Sequence, residues 1–335
     1  APGVFDKETG VRISKNKINQ PQLYQDVFGH TLVELAKENE KIVGITPAMP
    51  TGCSMTYLMK EFPERSFDVG IAEAHAVTFS AGLAKENFIP FCNLYSSFMQ
   101  RAYDQVIHDV ALQNLKVIMC LDRSGIVGED GPTHHGVFDL AYFRPIPNLI
   151  ISAPRTEHDL RNLMHTAVYN NDGPFVIRYP RGQGELIEWR NERTSIPIGK
   201  GKKLKDGKDI AIISLGTLGN DAMRAIAKVE SDYDLSIAHF DLLFLKPLDE
   251  EMLRGIAKSY KYIITLESGV INGGMGSAVL EFLSDNKFTD NKVFRMGIED
   301  EFITHGTMKE LHKLAKIDEE SIYNKILEVS NLKSK

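Results

Sequence analysis

The sequence predicts an α/β protein built from two parallel or mixed-sheet domains, and three observations lead there. Strands and helices alternate along nearly the whole chain, the pattern of parallel sheets joined by helical crossovers. Runs such as LKVIMCLD are continuously apolar, as strands buried on both faces are. The stretch RGQGELIEWRNERTSIPIGKGKKLKDGKD is polar, Gly-rich and aperiodic, and it divides the alternation in two.

The first unit opens on YQDVFGHTLVELAKENE, whose apolar positions recur at helical spacing, followed by the strand KIVGIT. HAVTFSAGLAKE reads as a helix and FIPFCNLY as a strand. FMQRAYDQVIHDVALQN reads as one further helix, leading into the buried strand LKVIMCLD. LIISAP, the helix TEHDLRNLMHTAVYN and the strand PFVIRYP complete the unit. After the polar break, taken as a linker plus a short hairpin, come IAIISLG, a helix from Asn220, SIAHFDL, a helix from Asp249, YIITLES, a helix from Gly274 and KVFRMGI. The last helices run from Thr307 to about Asn331. The expected division is an N-terminal linker remnant over 1–17, a first domain over 18–182, a linker over 183–205 and a second domain over 206–335.

Composition narrows the function classes. An apolar fraction of 43% and a charged fraction of 25% are those of a globular protein, and a net charge of −6 gives no reason to expect nucleic acid. Cys53, Cys92 and Cys120 are too few and scattered for a disulfide framework or a zinc site, which points to a reducing, intracellular compartment; a bacterial cytoplasm is the expected setting. No apolar stretch approaches the roughly 20 residues that span a bilayer. The chain opens on APGVFDKETG without an initiator Met, so its natural start is expected upstream; a plastid leader there is the alternative.

Candidate chemistry gathers at predicted strand ends. In DVGIAEAHAV, Glu73 sits among Ile71, Ala72, Ala74, Ala76 and Val77, and an ionised Glu is costly to bury without a partner. GEDGPTHHG, residues 128–136, follows a buried strand at the sheet edge where α/β ligands bind, and carries Asp130, His134 and His135. The plain alternative is an Asp-Gly surface turn with solvated histidines. Arg101, Arg123, Arg178 and Arg181 lie near strand ends, and arginine suits phosphate through its fixed fork of donors. Paired one by one with surface acids they mean nothing; converging on one crevice they would. Tyr95 and Phe98 offer an aromatic platform or simple core packing. GVINGGMGSAV has the context of a dinucleotide loop but not its spacing, so a tight strand-to-helix turn is the better reading.

FDVGIAEAHAVTFSAGLA, YSSFMQRAYDQVIHDVALQNLKV, DRSGIVGEDGPTHHGVFDL and RYPRG resemble the 1-deoxy-D-xylulose-5-phosphate synthases, thiamine diphosphate enzymes of the transketolase superfamily. GGMGSAV and FITHGT extend the resemblance over nearly the whole chain. It implies a pyrimidine-binding domain followed by a transketolase C-terminal domain. It also implies decarboxylative joining of pyruvate to D-glyceraldehyde 3-phosphate, on the way to isoprenoids, thiamine and pyridoxal. Glu73 would meet the ring nitrogen of the cofactor's aminopyrimidine and Phe98 would stack on that ring. Tyr95, Arg123 and Arg181 would hold the triose phosphate; Arg101, Asp130 and His134 would line the substrate pocket, His134 with a catalytic role. Ala74 departs from the family's usual Gln. The Gly-Asp-Gly motif with a downstream Asn-Asn, which holds the diphosphate and its Mg2+, is absent: EDGP, NDGP and KDGK do not match it. In that family it lies in a preceding domain, so the chain alone is expected to be inactive and to bind the cofactor weakly. That domain would be cleaved off, unexpressed or a separate polypeptide. A homodimer is expected. The alternatives are a β subunit of a 2-oxoacid dehydrogenase and a non-catalytic fragment of the same fold.

Overall fold

The computed structural model describes residues 8–10 and 20–333; most of the expected N-terminal remnant, 1–17, lies outside them. Two sheets organise the molecule. In the first, β1 (Ile42–Thr46), β2 (Ser66–Asp68), β3 (Ile89–Tyr95), β4 (Ile118–Asp122), β5 (Ile150–Ser152) and β6 (Phe175–Arg178) run parallel in the order β2-β1-β3-β4-β6-β5. In the second, β7 (Lys202–Lys205) runs antiparallel beside β9 (Ile237–Asp241). Parallel strands β8 (Ile210–Leu215), β11 (Tyr262–Val270) and β12 (Lys292–Ile298) continue beyond β9. One strand crosses over: β10 (Phe244–Lys246), which follows β9 in the chain, leaves the second sheet and pairs antiparallel with β5 of the first.

Around the first sheet lie α1 (Tyr24–Glu38), α2 (Thr56–Glu61), α3 (Glu73–Lys85), α4 (Ser96–Met99), α5 (Tyr103–Gln105), α6 (Asp139–Phe143) and α7 (Glu157–Tyr169). The second carries α8 (Leu218–Asp232), α9 (Glu250–Ser259), α10 (Met275–Asp285), α11 (Met308–Leu314) and α12 (Glu319–Lys333). Helix starts follow local chemistry. Thr156 with Asp159 and Thr307 with Glu310 form reciprocal capping boxes, and Asp249 accepts from the Met252 N–H.

Burial explains the layering. Tyr24, Phe28 and Leu32 of α1 and Leu160 and Leu163 of α7 pack on one face of the first sheet with Phe91, Ile118 and Phe175. Its other face shares a single core with the second sheet, in which Val43, Leu94 and Met119 meet Ala211, Ile213 and Ile263. The neighbours of those strand residues, Ile210, Ile212 and Ile264, point the other way, toward α8 and α12. Strands buried on both faces need apolar residues at every position, which is why their sequences do not alternate.

Two expectations change. The helix expected over 98–114 is broken into α4, a 3-10 turn at Gln100–Ala102, α5 and a π-helical turn at Val106–Ala111. The expected hairpin in the polar break is not formed; β7 finds its partner in β9 instead. The break itself is not loose, since Trp189 and Ile196 are buried in the first core. β2, β10, α2 and α6 were not foreseen.

The Gly-rich turn before α10 is structural. Glu267 of β11, wholly buried, accepts the N–H groups of Met275 (2.7 Å) and Gly276 (2.8 Å), and its carboxylate fills the space a side chain at Gly274 would need. Burial pushes this carboxyl from its ordinary 4.5 up to about 7, against the pull of the two donors. The folded state thus keeps the proton to higher pH than the unfolded chain. Its contribution to stability is therefore full below the unfolded value and is lost as pH rises toward about 7. Asp122 and Asp241, pushed up to about 6 and about 7 by burial, act in the same direction. Glu267→Gln should flatten the fall of Tm between about pH 5 and 7 relative to the parent chain. An unchanged slope would mean that Glu267 is ionised throughout.

Candidate active site

The chain leaves β1 for β2 on one side and returns to β3 on the other. The crevice outside the carboxyl ends of strands at such a reversal is where open α/β sheets bind ligands. Thr46 ends β1 and Tyr95 ends β3 there, and β4 beside it ends at Asp122.

Glu73 is the first residue of α3, which packs on β3 and against the turn at Gln100–Ala102. It is 7% exposed, and no described group hydrogen-bonds or ion-pairs with its carboxylate. The helix start offers it a favourable dipole, since the preceding Ala72 supplies no side-chain cap. Neither carboxylate oxygen is sealed from solvent, so the group is open to a partner from outside the chain.

Tyr95, Phe98, Arg123 and His134 are brought together. The rings of Tyr95 and Phe98 stack at 5.4 Å, and Phe98 meets His134 edge-on at 5.3 Å. The Arg123 guanidinium lies over the Tyr95 ring, 4.1 Å from its centroid. Arg123 is in the left-handed region, φ 59°, a strained conformation for a residue with a side chain and one that clusters at functional sites. It is held by Asp122 (3.0 Å), the Gly52 carbonyl (2.6 Å) and Gln25 (3.0 Å). Burial alone would lower its pKa; Asp122 and Tyr95 more than offset this and raise it. Burial pushes the Tyr95 phenol up to about 12, so it stays a neutral hydrogen-bonding group.

Arg181 and Asp130 also meet, but with each other. Arg181 donates to the Val127 carbonyl (2.7 Å), Asp130 (3.1 Å) and Glu129 (3.2 Å), and shares no partner with Arg123. It also lines a cleft of 140 Å³ between the two sheets. Arg101 is exposed on the 3-10 turn, with no hydrogen-bond, ion-pair or cation–π partner among the described residues. Arg178, 3% exposed, is taken up elsewhere. It pairs with Asp139 (2.9 Å) and donates to the side chain and backbone of Ser268 in the second sheet, so it ties the two units together.

Sequence reasoning missed the groups that hold this arrangement. Asp139 is buried and accepts from Ser96, Ser124 and Arg178, which fixes the root of the 128–136 loop against β4 and β6. His135, read only as half of a histidine pair, is 4% exposed and bridges the loop to the second unit. Neither has a linear motif; both are visible only once segments distant in sequence are adjacent.

A flat heterocycle with a ring nitrogen fits what is present: an aromatic face at Phe98 and the partnerless carboxylate of Glu73. No cluster of three or more His, Cys, Asp or Glu able to hold a metal occurs among the described residues. No described helix is long and apolar enough to cross a membrane.

Comparison with known proteins identifies the two domains. Residues 20–185 match the family model for the transketolase pyrimidine-binding domain, and residues 199–322 that for the transketolase C-terminal domain. The 1-deoxy-D-xylulose-5-phosphate synthases of Parabacteroides distasonis and Phocaeicola vulgatus are 66% and 61% identical to 96% and 98% of the chain, which covers 51% and 52% of theirs. The chain thus spans about half the length of the curated relatives it matches. Among solved structures, a split-gene transketolase in an inactive β4 tetramer superposes with TM-score 0.81 at 27% identity, over 93% of this chain and 99% of that one. Transketolase from Campylobacter jejuni shares the fold at TM-score 0.75 and 19% identity, over 94% of this chain and 48% of its own. The chain therefore belongs to the transketolase superfamily, with its pyrimidine-binding and C-terminal domains, and over nearly its whole length it is similar to the 1-deoxy-D-xylulose-5-phosphate synthases.

Proposed function

We propose that the chain forms the pyrimidine-side half of a thiamine diphosphate site that joins pyruvate to D-glyceraldehyde 3-phosphate, releasing CO2 and forming 1-deoxy-D-xylulose 5-phosphate. The observation that carries this reading is the partnerless carboxylate of Glu73, on a largely buried side chain at the start of α3. When bound, the cofactor supplies the carbon nucleophile and the electron sink for decarboxylation. Glu73 holds a proton between its carboxylate and the aminopyrimidine ring nitrogen, which satisfies both groups away from water. Phe98 orients that ring by stacking. Arg123, fixed over Tyr95, and Arg181 receive the triose phosphate, Arg181 exchanging its loop carboxylates for it. Asp130 and His134 close over the reacting carbons, with Arg101 at the rim.

The diphosphate and Mg2+ are held by a Gly-Asp-Gly segment outside this sequence, so the chain alone binds the cofactor weakly and does not turn over. It self-associates, as a homodimer or in a larger assembly like the inactive tetramer of its structural neighbour. The residue bounds 18–182 and 206–335 are the expected domain limits, in a bacterial cytoplasmic enzyme.

The test is complementation. The purified chain is mixed with a polypeptide comprising the half of the Parabacteroides distasonis synthase that this chain does not match, with thiamine diphosphate and Mg2+ present. Product should form only in the mixture, and 2-oxoisovalerate should not replace pyruvate. Product from the chain alone, or none from a co-eluting complex, would overturn the reading.

A further inference from the structure

The loop that carries Asp130 and His134 has an anchored frame, tied to the other domain by the Val270 N–H on the Val137 carbonyl (2.9 Å) and, nearer the site, by His135. Gly125 and Gly136 exchange backbone hydrogen bonds at 2.7 and 2.8 Å, closing the neck of the loop. No side chain fits at 136, where a Cβ would lie 2.5 Å from the Arg123 carbonyl. Flanking residues Ile126 and Val137 are buried in the core of the second sheet, beside Ile298 and Ile303. Across this frame lies His135. Its Nδ1 accepts the Val127 N–H (3.1 Å), and its Nε2 is 3.1 Å from the carbonyl of Thr304, on the segment between β12 and α11. A ring nitrogen that accepts an N–H cannot also carry the proton, so Nε2 holds it and donates to Thr304. The Val127 carbonyl is taken by Arg181, so both backbone groups of that residue are fixed.

We propose that His135 is a positioning residue: it clamps the loop to the C-terminal domain and thereby sets where its neighbour His134 stands against Phe98. His135 touches neither the aromatic group nor Glu73. Its neighbour on one side is the site histidine and on the other the glycine of the neck, so holding its ring holds the backbone from which His134 projects. The C-terminal domain thus takes part in the reaction through a backbone carbonyl and an imidazole. This rests on the functional reading above for the role of His134, but not for the clamp itself.

Two measurements test it. Hydrogen exchange on the purified chain reads the clamp without any activity. His135→Ala should speed exchange at Val127 and across 126–136 by about tenfold or more, whereas His135→Gln, whose amide can both accept and donate, should keep the protection. If the space left by Ala unfolds the chain, His135→Phe fills it without nitrogens and should show the same fast exchange. Protection unchanged in both nitrogen-free variants would overturn the clamp. In the complemented enzyme, His135→Ala should lower kcat on the order of 100-fold with KM for pyruvate little changed, and His135→Gln should restore most of it. Full kcat without the nitrogens, or no rescue by Gln, would overturn the positioning role. Absence of product from the complemented parent enzyme would instead count against the functional reading, and exchange alone would then decide the clamp.

Discussion

Glu73→Ala is expected to lower turnover of the complemented enzyme by about 10²–10⁴-fold, the range for removing a positioned acid–base group. The same change should leave the chain as stable as before, or more so. In the chain by itself the carboxylate has no partner, so deleting it breaks no hydrogen bond. Loss of activity combined with unchanged or raised stability separates a functional carboxylate from a structural one. Glu73→Gln refines the result: it keeps the volume but cannot pass a proton, so it should fail nearly as badly as Ala. Assays of both variants, paired with melting curves, give the answer. Full activity in Glu73→Ala would sink the assignment, and a sharp fall in Tm would mean that the carboxylate has a partner in solution.

The second large effect is on stability. Arg178→Met should destabilise the chain by about 3–5 kcal/mol, the usual cost of stripping one member from a buried ion pair. Asp139, 1% exposed, would keep the hydroxyls of Ser96 and Ser124 and the Leu140 N–H but lose its cation, and Ser268 would lose its donor across the domain junction. Asp139→Asn, which removes the charge but keeps an acceptor oxygen, should cost less. Urea unfolding of the three proteins provides the comparison. A loss below about 1 kcal/mol for Arg178→Met would mean that water reaches the pair and screens it.

How far the sequence disclosed these features depends on the range of the signal. Strands with unbroken apolar runs and helices with a 3.6-residue stripe were legible because one local environment dictates each. The segment 98–114 was misread because its composition is helical throughout, while its hydrogen bonds shift to 3-10 and π spacing where it packs against α3. β10 escaped because three residues carry too little pattern, and their partner lies in another domain. In the site, Glu73, Tyr95, Phe98, Arg123 and His134 stood out by chemistry at strand ends, and four of the five touch in a chain of rings and one guanidinium. The spacing of Arg178 suggested a phosphate ligand no less than that of Arg181. Only the position of Ser268, distant in sequence, shows that it is a tie between domains.

The exchange of β10 bears on how the chain comes to be folded. Phe244 pairs with Ser152 and packs against Phe175 in the first core, although most of the second domain's chemistry comes later in the chain. During synthesis the first sheet can form six strands but leaves the edge of β5 open until residue 246 has left the ribosome. An open strand edge is a template for pairing with other chains. Cutting between the domains near residue 205 would make that condition permanent, so the first domain expressed alone should aggregate, and extension through residue 246 should relieve it.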